Sequence, residues 1–290
     1  MNQMMKRMRW VFLATLLLLA AVPVVAKDGE SKFATLNGAK IHYQSYGQGT
    51  DAFVLVHGWS SNLEAWGHQI PALAKRGRVI ALDLPGHGKS GSPASGMLSM
   101  ELFARAVEAV RSEAGVDKVV LVGHSMGTPV IREYARLYPQ HVTALVAVDG
   151  MFVAPAGAGG RGAMPSMNLT GPTGLAARET MIRGMFGTNT PRDVQDKVLK
   201  MMLGAPEATA IGAMNAMMAW MTAVQDNTPK RLPVLGIYAE KSVAGNREAT
   251  TKLFPSFEYQ EIPGTSHFLM MEKPDEFNRR LTTFLAKLMH

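Results

Sequence analysis

The segment Gly123-His124-Ser125-Met126-Gly127 sets a hydroxyl between two glycines, directly after the β-branched run KVVLV. In a G-x-S-x-G pattern the glycines let a strand turn sharply into a helix, which leaves the serine exposed at the crest. The following TPVIREYARLYP has helical spacing, so the context fits a nucleophile on such a turn. A serine hydroxyl becomes nucleophilic only beside a base. His267 fits that role: it lies in Pro263-Gly264-Thr265-Ser266-His267-Phe268, a glycine-containing turn late in the chain. Attack on a carbonyl also creates an oxyanion, and backbone N–H groups can stabilise it. His57-Gly58-Trp59 follows an earlier apolar strand, where glycine permits close backbone approach. The expected oxyanion donors are the amides of Trp59 and of Met126, the residue after the nucleophile. His57 itself reads as structural, because a base must reach the serine from the other side.

Another segment invites a different chemistry and fails it. Asp83-Leu84-Pro85-Gly86-His87-Gly88-Lys89-Ser90 has the end of a phosphate-binding loop, but G-x-x-x-x-G-K-[ST] requires glycine where Asp83 stands. A tight turn after a strand is the sufficient reading.

These residues need a scaffold, and the chain is long enough to build one. It has 290 residues, 47% of them hydrophobic, so a large buried core is available. Short β-branched runs alternate with longer helical patterns, which predicts βα units and a mostly parallel sheet. Strands are expected near 33–36, 40–46, 53–56, 79–82, 119–122, 144–148, 234–238 and 257–262. Helices are expected over 98–114, 128–138 and 274–289. Residues 151–229 break this rhythm: they are rich in glycine and proline at first, then helical (208–224), and hold eleven of the 21 methionines. The reading is an insertion over the sheet, with 27–150 and 230–290 as the core. Methionine is flexible and polarizable, so Met181, Met185, Met214, Met217, Met218 and Met221 are candidates to line an apolar pocket. As simple core residues of the inserted helices they would look the same.

The first 26 residues stand apart. Lys6, Arg7 and Arg9 precede an uncharged run from Val11 to Ala26 that is too short to span a bilayer. Pro23 and the small residues Val24 and Ala26 predict a secretory signal peptide cut near Ala26–Lys27. Without it the chain carries 27 basic and 23 acidic side chains, a net charge of +4 with no basic cluster, which gives no support to nucleic-acid binding. The absence of cysteine excludes disulfides, thiol nucleophiles and thiolate metal sites.

Together HGW, DLPGHGKS, GHSMG and GTSHFLMMEKPDEF fall in an order and spacing that resembles the α/β-hydrolase superfamily. The resemblance covers nearly all of the chain after residue 26. It is greatest to the capped branch that also holds haloalkane dehalogenases, epoxide hydrolases and small esterases. It implies an α/β fold with an eight-stranded, mostly parallel sheet flanked by helices, and a helical cap after strand 6. It also implies a Ser-His-acid triad that needs neither metal nor organic cofactor. Dehalogenases and epoxide hydrolases of this branch use an aspartate nucleophile, so serine at 125 points instead to acyl transfer.

The resemblance raises one difficulty. The family's acid often follows the seventh strand, and Ser242 occupies that position here. Some capped members carry the acid after the sixth strand, which in this chain ends in Asp149. Glu240 is the second choice. The expected activity is that of an exported serine hydrolase, periplasmic or secreted, acting on small to medium apolar carboxylic esters. Carbon–carbon or lactone hydrolysis would use the same triad, and a slow-turnover ligand-binding receptor would keep the same pocket.

Overall fold

The computed structural model describes residues 29–93, 96–155, 169–223, 226–242, 244 and 246–288. The expected signal peptide, residues 1–26, lies outside the described residues. One sheet of eight strands organises the rest: β1 (Glu30–Leu36), β2 (Ala39–Tyr46), β3 (Asp51–Val56), β4 (Arg78–Leu82), β5 (Lys118–His124), β6 (Val142–Val148), β7 (Val234–Ala239) and β8 (Phe257–Ile262). Their spatial order is β1-β2-β4-β3-β5-β6-β7-β8. β2 runs antiparallel to β1 and β4, and from β4 to β8 the neighbours are parallel.

Strands covered on both faces should read as continuous apolar runs, and the central ones do. All six residues of β7 are buried, as are the last five of β6. The covering layers contain α1 (Gln69–Ala74), α2 (Met100–Glu113), α3 (Gly127–Leu137), α7 (Arg247–Leu253), α8 (Leu269–Glu272) and α9 (Pro274–Lys287). On α9 the buried Phe277, Leu281, Phe284 and Leu285 recur at helical spacing, which makes one apolar stripe against the core. α1 and α7 were not expected. They have six and seven residues, too few to show a period of 3.6.

Three helices stand between β6 and β7: α4 (Gly171–Arg183), α5 (Arg192–Leu203) and α6 (Glu207–Thr222). The side of α6 facing the interior carries the small residues Ala210, Ala213 and Ala216 along its first three turns and Trp220 near its end, all buried, and the alanines let that part of the helix approach the core closely. Two hydrogen bonds fasten it there. Trp59 Nε1 donates to the Ala210 carbonyl at 2.7 Å, and Thr209 Oγ1 donates to the Gly86 carbonyl at 2.9 Å. Among the described residues no helix is long and apolar enough to cross a membrane.

Parallel strands put their carboxyl ends at one edge of a sheet, where α/β proteins gather functional groups. Ser125 follows β5, Asp149 follows β6, Glu240 follows β7 and His267 follows β8. Residues far apart in sequence thus meet at one edge.

Candidate active site

The turn after β5 is built by close contacts that only glycine allows. A Cβ on Gly127 would lie 2.4 Å from the Val56 carbonyl oxygen, and one on Gly123 would lie 2.4 Å from the Gly127 carbonyl oxygen. Both obstacles are backbone and cannot swing aside. Gly127→Ala is therefore expected to destabilise the fold by about 2–3 kcal/mol. An unchanged urea-unfolding midpoint would contradict the close approach. Between the glycines Ser125 sits at φ 52°, in the left-handed region that costs an ordinary residue about 1–2 kcal/mol. Its N–H donates to the Val148 carbonyl at 2.9 Å, so β6 holds the strained residue in place. Strain of this kind persists where the surroundings over-determine it, which is common at functional sites.

Asp149 is the carboxylate that meets the histidine. His267 Nδ1 lies 2.6 Å from Asp149 Oδ2, and the Ala239 N–H donates to Oδ1 at 3.1 Å. Burial by itself would raise the pKa of Asp149. The hydrogen bond and charge of His267, the Ser242 hydroxyl and the Ala239 amide outweigh burial and hold it below the ordinary carboxylate value. Ser242, at the position where the family often carries its acid, thus supports the carboxylate of Asp149 after the neighbouring strand. Sequence reasoning missed this role because the contact exists only once β6 and β7 are side by side. Glu240 is occupied elsewhere: it is exposed and accepts the Gly264 N–H at 2.9 Å.

His267 Nε2 has no hydrogen-bond partner among the described residues. Among the described residues no hydrogen bond yet joins it to Ser125, although both residues border one small cavity. Such bonds are often long in unliganded sites and tighten with substrate. The main-chain N–H groups of Trp59 and Met126 donate to no protein acceptor among the described residues.

The neighbouring imidazoles are neutral scaffolding. His57 donates from Nδ1 to the Gly58 carbonyl at 2.8 Å and accepts the Leu84 N–H on Nε2 at 3.0 Å. Burial pulls its pKa down. His124 is fully buried, which together with the nearby His267 lowers its pKa to about 3. Its Nε2–H donates to the His267 carbonyl at 2.8 Å and so fixes the loop that carries the base. Asp83 is equally structural: His42 Nδ1 and the amides of Leu63 and Lys89 all point to its carboxylate.

The cavity at Ser125 measures about 10 Å³, room for roughly one water. It is bordered by Met185, Met202, Trp59, Ser61 and Phe268 beside Ser125 and His267. Of the six methionines expected in a pocket, Met185 is the one that reaches it. Met181, Met214, Met217 and Met221 are partly buried and pack against the hydrophobic core, and Met218 is partly buried on α6. The alanine face of α6 explains this, since it turns the methionines of that helix to its flanks. Met202, on α5, was not singled out in the sequence. Among the described residues no group of histidine and carboxylate side chains could hold a metal.

A sheet of this order, with a serine turn after β5 and a histidine after β8, defines the α/β-hydrolase fold, and the comparisons agree. The family model described as alpha/beta hydrolase fold matches residues 51–168. The chain is 31% identical to the "Dihydrolipoyllysine-residue acetyltransferase component of acetoin cleaving system" of Pseudomonas putida, over 83% of this chain and 65% of that protein. It is also 31% identical to "Bifunctional epoxide hydrolase 2" of Mus musculus, over 46% of this chain and 24% of that one. It therefore spans less than two thirds of the length of these curated relatives. A solved enzyme described as degrading N-acyl homoserine lactones superposes with a TM-score of 0.71 at 25% identity, covering 87% of this chain and 100% of that one. An esterase from Thermogutta terrifontis shares the fold, with a TM-score of 0.71 at 22% identity, over 89% of this chain and 99% of that one. The chain belongs to the α/β-hydrolase superfamily.

Proposed function

We propose that the protein is a serine esterase in which Ser125, His267 and Asp149 form the triad and the helices within 151–229 form the cap. The observation that carries this reading is the 2.6 Å contact between Asp149 and His267 Nδ1 beside a strained serine. Asp149 fixes the tautomer that leaves His267 Nε2 bare. His267 then takes the hydroxyl proton as Ser125 Oγ attacks the ester carbonyl. The amides of Trp59 and Met126 receive the oxyanion, a contribution of about 3–4 kcal/mol per donor. His267 protonates the departing alcohol, and water activated by His267 then cleaves the acyl-enzyme. A lactone presents the same carbonyl in a ring, and the likeness to the lactone-degrading enzyme supports including cyclic esters.

The test pairs hydrolysis of p-nitrophenyl butyrate with labelling by a fluorophosphonate. We expect turnover, and one phosphonyl adduct on Ser125 that is absent in Ser125→Ala. If export also holds, intact mass places the labelled chain's first residue at Lys27. A wild-type protein that neither hydrolyses the ester nor takes the label would refute the esterase reading and leave a binding protein.

A further inference from the structure

A second cleft lies against the nucleophile cavity, between α5 with its following turn and the core loops around residues 60–64 and 83–89. It encloses about 530 Å³, against about 10 Å³ at Ser125. The wall between the two spaces is thin. Ser61 borders both, and its hydroxyl meets Met201 Sδ at 3.3 Å, while the adjacent Met202 faces the nucleophile side.

Three lysines line this cleft: Lys89 from the core, and Lys197 and Lys200 one turn apart on α5. Among the described residues none of their ammonium groups has an ion-pair or hydrogen-bond partner. Two carboxylates share the lining. Asp83 is buried and already satisfied by His42 and two backbone amides, which leaves Glu64 as the exposed acid against three cations. The wall also contains Ser60, whose side chain is 1% exposed and whose Oγ has no partner. A buried polar group of this kind is destabilising unless something pairs with it. Ser60 is moreover held at φ 54°, a second strained residue beside the site.

The geometry points to an anion-binding subsite here, one that takes a carboxylate on the alcohol portion of the ester. This rests on the esterase reading and narrows its substrate class. The space at Ser125 holds about one water, so binding must part the contact between Ser61 and Met201; the acyl group then lies beside Met185, Met202 and Phe268, and the charged far end of the alcohol reaches the lysine cleft. Attraction to several lysines raises the local concentration of such an ester and weakens as salt screens it.

The test compares kcat/KM for 4-acetoxybenzoate with that for 4-acetoxybenzamide, a neutral ester of the same shape. The wild type is expected to favour the carboxylate about tenfold. That ratio should shrink at raised salt and fall to one or below in Lys197→Glu/Lys200→Glu, where both lysines of α5 are reversed. A wild-type ratio near one, or a ratio indifferent to the double substitution, overturns the subsite. Should neither ester be cleaved, the esterase reading has failed separately, and calorimetry with 4-hydroxybenzoate decides the subsite alone. Binding to the wild type that disappears in the double variant sustains it; no binding to the wild type overturns it.

Discussion

Asp149→Asn is expected to cut ester hydrolysis by about four orders of magnitude, the loss seen when the acid of the best-studied serine triad is made neutral. Glu240→Gln should stay within roughly twofold, since surface changes remote from the reacting groups have small effects. The contrast is clean because asparagine suits the backbone at this position. Asp149 occupies the left-handed region at φ 43°, and aspartate and asparagine are both among the residues that tolerate it. The substitution thus removes charge and keeps shape. An amide whose N–H₂ faces Nδ1 would leave His267 with its proton on the wrong nitrogen. Rates for both variants on p-nitrophenyl butyrate, with melting curves to show that each is folded, decide the matter. Retention of the rate in Asp149→Asn together with its loss in Glu240→Gln would move the acid to β7.

Acid should unfold this protein earlier than its carboxylates alone would explain. Burial lowers the pKa of His87 to about 3, aided by the neighbouring His57, and burial likewise takes His124 to about 3. The unfolded chain returns each imidazole to its ordinary value of 6.5. Between those limits the unfolded state binds more protons than the folded one. Stability is therefore complete above pH 6.5 and is lost as pH falls toward 3. Each group contributes a slope of up to about 1.4 kcal/mol per pH unit, so the two together remove roughly 4 kcal/mol between neutrality and pH 5. Asp149 acts in the same direction at lower pH, because its depressed pKa makes its stabilisation disappear only as pH falls below the ordinary carboxylate value. His87→Asn tests the argument. His87 Nδ1–H donates to the Pro85 carbonyl at 3.1 Å, a bond an asparagine amide can replace, and its buried Nε2 has no partner to lose. Urea unfolding from pH 7.5 to 5 should show the variant losing about 2 kcal/mol less stability than the wild type over that range. An unaltered slope would mean that His87 does not resist protonation in the folded state.

The sheet was legible because its strands are β-branched runs bounded by turns, and each expected run lies on an observed strand. Ser125 and His267 were legible from local patterns: the paired glycines of one and the turn around the other. Asp149 was not legible from its own surroundings, since an aspartate ending a strand also reads as a turn residue. It came from the family resemblance, and the 2.6 Å contact now gives it a physical basis. The cavity lining was the least legible. A methionine-rich helix announces apolarity in every direction, and only packing decides which side meets the core. Here three alanines and Trp220 took the inner face of α6, so Met202 on α5 reached the cavity and most of the candidate methionines did not. The support from Ser242 and the link from Trp59 to Ala210 join residues 93 and 151 positions apart, a distance over which no local pattern carries information.

Those links have a bearing on how such a protein diversifies. Two of the ties between the core and the inserted helices end on main-chain oxygens of the insertion: Trp59 on Ala210, and the His267 N–H on Met185 at 3.4 Å. A carbonyl is present whatever the side chain, so these ties constrain the path of the inserted segment and leave its residue types free. Selection can rewrite the side chains of the inserted helices, lysines and methionines included, while these fastenings stay in place.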